Sequence, residues 1–325
     1  MGGRDDRVDE LLAAGLADAP DPAGQRWLCA GALERARGTL QDRGATVVAW
    51  HRYASEGPDP RPAPPDGPFA GAVLRPWRGS DAARMGLHLA AAQLAPDGVV
   101  WAAASNDEGG RSLGAKLLEA LGEVDAGTPG RRARRYLARR PRQDVRGALE
   151  DWREAVALPL PGGTQPLASW PGLFAHGRLD PATALLLEHL PDATGARVLD
   201  FAAGAGAISA ALRSASSLDL CDHDALACHA AVLNVPGAAV HCVDGLPRGG
   251  PWDLVVSNPP IHRGSDRDLS VLRQLGAALP QRVAPGGEAW LVTQATVAVP
   301  QLLAGARSVA TDRRFTVWRW ARATG

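Results

Sequence analysis

Apolar and polar positions follow two different periods along this chain, and the switching between them is clearest in the C-terminal half. Short, nearly continuous apolar runs at 196–201, 217–222, 238–243, 252–257 and 288–293 read as buried strands of a parallel sheet. Helical spacing fills the intervals, over 180–190, 206–214, 224–233 and 267–283. Asp180-Pro181 marks the start of the first of these helices, a capping acid followed by proline at the first helical position. Such alternation predicts βαβ units with right-handed crossovers. Two last apolar runs, 305–310 and 315–320, flank Asp312-Arg313-Arg314 and predict a terminal antiparallel hairpin.

The N-terminal half repeats the scheme more loosely. It has strand-like 26–30, helical 31–43, and strand-like 45–51, 69–74 and 99–104. The proline-rich stretch 58–68 is a loop by composition, and 158–172, with Pro161-Gly162-Gly163, reads as a linker. The expected fold class is α/β. The expected domains are 1–157 and 158–325, since 325 residues are many for one core.

Charge and composition narrow the picture. Thirty-five basic and 35 acidic side chains cancel, which excludes a generally cationic nucleic-acid binder but leaves room for a local patch. The arginine-dense run 131–142 is that candidate, through Arg131, Arg132, Arg134 and Arg135. It reads either as a solvated face or as a grip on phosphates. No apolar run reaches 18 residues, and the first residues carry no signal-peptide core, so a soluble, cytoplasmic chain is expected, with no membrane partner. Cys29, Cys221, Cys228 and Cys242 lie in or beside apolar segments, as reduced core thiols do. Cys221, His223, Cys228 and His229 are close in sequence, but no second Cys-x-x-Cys pair accompanies them, so no metal is expected. A monomer is the expected oligomeric state.

The chemistry concentrates at the ends of the C-terminal strands. Asn258-Pro259-Pro260 follows the run 252–257, and two prolines in succession stop a ladder and hold the asparagine extended at the strand's C-terminal edge. That edge is where open α/β sheets bind ligands. An amide there can grip a substrate –NH₂, which suits methylation of an exocyclic amine. The first strand runs into Asp200-Phe201-Ala202-Ala203-Gly204-Ala205-Gly206 and then a helix. Glycines at such a turn let a ligand approach the backbone near a helix's positive end, although any tight βα turn favours glycine. Asp222 ends the second strand, where a carboxylate can accept both hydroxyls of a ribose. Asp244 ends the third, within reach of an adenine amino group, and Asp200 suits an amino-bearing ligand. Each acid alone reads equally well as a solvated loop residue; the series together points to a nucleoside-bearing cofactor.

These segments resemble class I S-adenosylmethionine-dependent methyltransferases. The stretch from Val198 to Gly206 is similar to their cofactor loop, Cys221-Asp222-His223-Asp224 to their ribose segment, and Ser257-Asn258-Pro259-Pro260 to the catalytic motif of amino-methylating members. The pattern through His262 and Gly264, together with Phe174, Arg178 and the rest of 171–180, resembles bacterial ribosomal RNA guanine-N2 methyltransferases of the two-domain type. The resemblance implies a Rossmann-like catalytic sheet preceded by a degenerate methyltransferase-like domain, with S-adenosylmethionine as cofactor and ribosomal RNA or a ribosomal subunit as partner. It implies catalytic roles for Asn258, Pro259, Pro260 and His262. Cofactor contacts would come from Asp200, Ala202, Gly204, Gly206, Asp222, Asp244 and Asn258. Substrate contacts would come from Ile261, Phe174, Arg178 and the four arginines. Two positions depart from the pattern. Ala202 stands where glycine is usual, tolerable if its φ is negative, and Ile261 stands where an aromatic residue often stacks on the base. Three other readings stay open: a glutamine-amide methyltransferase of the same fold, a nucleotide-dependent oxidoreductase, and an RNA-binding or ribosome-assembly factor without turnover.

Overall fold

The structure, a computed structural model, describes residues 4–130, 132–263 and 266–324. Its chain divides into two compact units. One comprises Met1–Arg153 with Trp170–Gly172, the other Glu154–Ser169 with Leu173–Gly325.

The first unit is built from α1 (Arg4–Ala17), β1 (Arg26–Ala30), α2 (Glu34–Asp42), β2 (Thr46–Trp50), β3 (Phe69–Leu74), α3 (Ser80–Ala91), β4 (Leu94–Ser105), α4 (Leu113–Ala120), β5 (Leu121–Val124), β6 (Thr128–Gly130) and β7 (Ala133–Pro141). Its sheet runs β2-β1-β3-β4-β7-β5, with β6 beside β7. The pairs among β2, β1, β3 and β4 are parallel, and β7 is antiparallel to β4. On one face α1 and α2 bury Val8, Leu12, Leu16 and Leu40 against Trp27, Val73 and Trp101.

The second unit begins with β8 (Glu154–Leu160) and β9 (Gly163–Ser169). It continues through α5 (Pro181–Leu187), β10 (Arg197–Phe201), α6 (Ala207–Ala211), β11 (Ser217–Asp222), α7 (Ala225–Asn234), β12 (Ala239–Cys242), β13 (Trp252–Ser257), the two-residue strands β14 (His262–Arg263) and β15 (Asp266–Arg267), α8 (Ser270–Arg282), β16 (Val283–Gln294), β17 (Arg307–Thr311) and β18 (Phe315–Ala321). The sheet order is β12-β11-β10-β13-β16-β18-β17, parallel through β16 and closed by the antiparallel terminal hairpin. Successive strand residues point to opposite faces. Val198, Leu254, Val256 and Trp290 join one core cluster, while Leu199, Val255, Ala289 and Leu291 join the other. Burial on both faces is why these strands read as continuous apolar runs.

The stretch expected as a linker is instead the antiparallel pair β8–β9, and the expected boundary at 157/158 falls inside β8. Pro161-Gly162-Gly163 is its turn, with φ of 89° at Gly162 and 123° at Gly163. Proline is tolerated because a two-stranded ribbon leaves outward-facing N–H positions unpaired. Leu158, Leu160 and Leu167 bury themselves in the core with α5 and the central sheet.

Candidate active site

In the second unit the strand order reverses between β10 and β13, and the crevice beyond their C-terminal ends is the ligand position of such sheets. Phe201 pairs with Ser257, so the turn 202–206 and the Asn258-Pro259-Pro260 segment leave the sheet side by side. Ser257 Oγ–H donates to the Phe201 carbonyl at 2.6 Å, fastening the two exits together.

A cleft of about 600 Å³, open mouth included, lies there. Gly204, Ala205 and Asn258 line it, with Phe174, Arg178 and Asp180 of the segment leading into α5. Gly204, Asn258, Phe174 and Arg178, each singled out from the sequence, thus converge. Asn258 Nδ2 donates to Asp180 Oδ2 and to Thr183 Oγ1, both at 3.0 Å. Asp180 is also the N-cap of α5, its Oδ2 accepting the N–H groups of Ala182 (2.9 Å) and Thr183 (3.0 Å). Phe174 stands at the cleft, 67% exposed.

The glycine turn is pinned from below. Gly204 N–H donates to Asp222 Oδ2 and Asp224 N–H to Asp222 Oδ1, both at 2.9 Å. A side chain at Gly204 would meet open space, whereas one at Gly206 would meet Val235 at 2.9 Å. Gly204 therefore leaves room for a ligand, and Gly206 is demanded by packing and by its φ of 83°. Asp200 is wholly buried. Its Oδ2 accepts Ser209 Oγ–H (2.8 Å) and N–H (3.2 Å), while no described group hydrogen-bonds its Oδ1. Burial pushes this carboxyl up to about 7, against the pull of the Ser209 hydrogen bonds and with a further push from the Asp222 charge. Burial likewise raises the Asp222 carboxyl, as does the neighbouring Asp224 charge.

Several expected positions stand elsewhere. Asp200, Ala202, Gly206 and Asp222 are not among the cleft's lining residues, and Asp244 is exposed beyond β12. Pro259 is buried and Pro260 exposed. Ile261 packs against the core on the α8 face of the sheet and is not among the cleft's lining residues. Ala202 has φ of 57°, so the condition under which alanine would be readily tolerated is not met: it holds a left-handed conformation that glycine adopts without penalty. Arg131 and the side chain of His262 lie outside the described residues. Arg132 is exposed and Arg134 half-buried in the first unit. Arg135 is engaged within that unit: its guanidinium lies 5.0 Å from the centre of the Trp101 ring and donates to the Leu11 carbonyl at 3.2 Å.

Other contributors were not visible in the motifs. Val156, Leu158, Leu167 and Ser169 of the β8–β9 pair form one wall of the cleft. Asn234, at the end of α7, ties that wall to the glycine turn. Its Nδ2 donates to the carbonyls of Ala168 and Ala205, both at 2.9 Å, and its Oδ1 accepts Ala168 N–H at 2.6 Å. Only the position of Asn234 at a helix end gave a signal. Among the described residues no group of three or more His, Cys, Asp or Glu side chains gathers as for a metal ion. No described helix is long and apolar enough to cross a membrane.

The first unit carries the same sheet without the site. Laid strand on strand by their pairing partners, β1 and β3 put Cys29 where Asp200 stands and Arg75 where Asn258 stands. Arg75 is bound to Glu108 at 2.6 Å, and the buried Arg52 lies 4.6 Å over the Trp77 ring. The Asn-Pro-Pro asparagine and the buried strand-end aspartate thus have no counterpart at these two register positions.

A seven-stranded sheet ending in an antiparallel hairpin, with a glycine turn facing an Asn-Pro-Pro segment, is the architecture of the Rossmann-like methyltransferases, and the methyltransferase small domain model matches residues 165–319. The chain aligns at 30% identity over 277 residues, 80% of its length and 82% of the relative's, with the ribosomal RNA small subunit methyltransferase C of Stutzerimonas stutzeri (strain A1501). It belongs to that family. The proteins of the same name from Pseudomonas paraeruginosa (strain DSM 24068 / PA7) and Pseudomonas aeruginosa (strain LESB58) are 38% and 34% identical, over 46% and 60% of this chain. Those two alignments span about half to three-fifths of the relatives' own length, 48% and 61%. The fold matches a T. thermophilus 16S rRNA N2 G1207 methyltransferase solved with AdoMet and guanosine, at a TM-score of 0.82 and 21% identity, covering 96% of this chain and 92% of that one.

Proposed function

We propose that the second unit transfers a methyl group from S-adenosylmethionine to the exocyclic N2 amine of a guanine in ribosomal RNA, in the cytoplasm. The observation that carries the reading is the Asn258 amide, whose nitrogen is bound to Asp180 and Thr183, so that its oxygen is left for the cleft beside Gly204. The cofactor's requirements fit the residues present. Gly204 offers an unobstructed backbone, and Asp222 holds the turn in shape. Bound there, S-adenosylmethionine supplies a methyl already activated by its sulfonium.

The chain's task is then placement. Guanine N2 is a poor nucleophile because its lone pair is delocalised into the ring. Asn258 Oδ1 and the Pro259 carbonyl accept its two N–H groups and turn the remaining lone pair toward the methyl, and one of the two protons is lost to solvent after transfer. Phe174 takes the stacking role that Ile261 does not fill, and Arg178 at the cleft's edge meets a phosphate. A guanine in structured RNA leaves its stack to enter. The first unit serves as a substrate-holding or stabilising domain, and the protein works as a monomer.

The test is incubation with labelled S-adenosylmethionine and undermethylated small-subunit RNA or subunits, followed by nucleoside mapping. N2-methylguanosine is expected. Asn258→Ala should lower kcat by about 100-fold or more while cofactor affinity stays within about three-fold. Label appearing in protein glutamine, or full transfer by the variant, would overturn the reading.

A further inference from the structure

An asparagine presents two chemically opposite ends, and the end facing a ligand decides whether the site takes a donor or an acceptor. We propose that Asp180 and Thr183 are positioning residues that hold the Asn258 amide in one orientation and so make the cleft selective for an N–H donor. This rests on the methyl-transfer reading above.

The Asp180 carboxylate fixes the orientation independently of how an amide is drawn. Asp180 Oδ2 already accepts two backbone N–H groups at the start of α5, and a carboxylate oxygen in that role offers only acceptor capacity. An Asn258 oxygen turned toward it would meet a second acceptor at hydrogen-bond distance and would forfeit the 3.0 Å bond to Asp180, whereas the Thr183 hydroxyl, able to donate or accept, pairs with whichever end the carboxylate sends it. Thr183 is buried, one turn into the same helix, and adds its hydroxyl on the same side. Helix α5 is thus aimed by its cap: the carboxylate that starts the helix also grips the amide, placing the hydroxyl three residues on within reach. Asn258's backbone is held separately, by Pro259 and by the Ser257 bond to Phe201. Backbone and side chain are therefore restrained by different elements, and the side-chain restraint can be removed alone.

The variants are Thr183→Val, which keeps the shape and deletes the hydroxyl, Thr183→Ser, which restores it, and Asp180→Ser, which keeps a good helix cap but withdraws the carboxylate. In the full-length protein, kcat, KM, cofactor affinity and the binding of RNA carrying guanine or inosine at the target are measured. Inosine lacks the exocyclic amine. Thr183→Val and Asp180→Ser should each lower kcat by about ten-fold or more, hold cofactor affinity within about two-fold, and erode the preference for guanine over inosine; Thr183→Ser should recover kcat to within about three-fold. Wild-type kcat and guanine preference in Thr183→Val would overturn the proposal, as would a loss that Thr183→Ser fails to restore. Wild-type turnover tests the methyl-transfer reading by itself, and the guanine preference reads the amide's orientation whether or not turnover is seen.

Discussion

Ala202, at φ 57°, and Asp200, sealed beneath the turn, each carry a cost that burial or backbone imposes locally. A left-handed alanine is disfavoured by about 1–2 kcal/mol, part of which glycine would give back in unfolded-chain entropy. Ala202→Gly is therefore expected to stabilise the second unit by about 1 kcal/mol and raise its melting temperature by about 2–4 °C, read by calorimetry. Asp200 gives a pH signature. Its folded carboxyl titrates near 7, above the ordinary 3.8, so the folded state binds the proton more tightly than the unfolded chain. The stability this contributes is complete below about pH 4 and is lost as pH rises through 7. Denaturant titrations of the ligand-free protein should show stability falling between about pH 4 and 7 and levelling off above. Asp200→Asn should flatten that fall and leave the variant more stable than wild type at pH 8; an unchanged slope would refute the assignment.

At the scale of elements, the β8–β9 pair and α7 matter more than their sequences suggest. The pair carries one wall of the cleft, and Asn234 joins it to the glycine turn by three hydrogen bonds. Asn234→Ala should leave two carbonyls and an N–H without partners in a buried setting. The expected loss is about 2–3 kcal/mol of stability together with weaker cofactor binding, measured by urea denaturation and by titration calorimetry. The parallel strands were readable in advance because both faces are buried, which leaves an unbroken apolar run. The β8–β9 pair was not, because Pro159, Pro161 and Pro166 with two glycines look like a linker until a partner strand is present to show which N–H positions need no bond. Helix α1 and strand β7 also escaped prediction, the latter because its arginines masked a strand with buried residues on both faces, Ala133 on one and Tyr136 and Ala138 on the other.

At the scale of the whole molecule, one sheet plan appears twice and only one copy keeps the chemistry. In the first, Arg75 and Cys29 occupy the register positions of Asn258 and Asp200, and burial pushes the Cys29 thiol up to about 12, out of reach of ionic contact. Its arginine strand divides in the same way. Arg132→Gln and Arg134→Gln should each reduce the salt dependence of RNA binding by about one unit of slope, if both meet phosphates. Arg135→Gln should instead destabilise the first unit by about 1–2 kcal/mol, because it leaves the Trp101 ring and the Leu11 carbonyl. Filter binding across a salt series and thermal melts separate the two effects. The strand runs, the glycine turn, the strand-end acids and the Asn-Pro-Pro stop all follow from residue order, since each depends on local φ restriction or on period-two and helical burial. Which end of Asn258 faces the cleft, that Asp222 braces the turn, and that Phe174 rather than Ile261 stands at the opening were decided only by the fold. Those relations join residues as far apart as 180 and 258, and hydrogen bonds across such a span exist only once the sheet has brought its strand ends together.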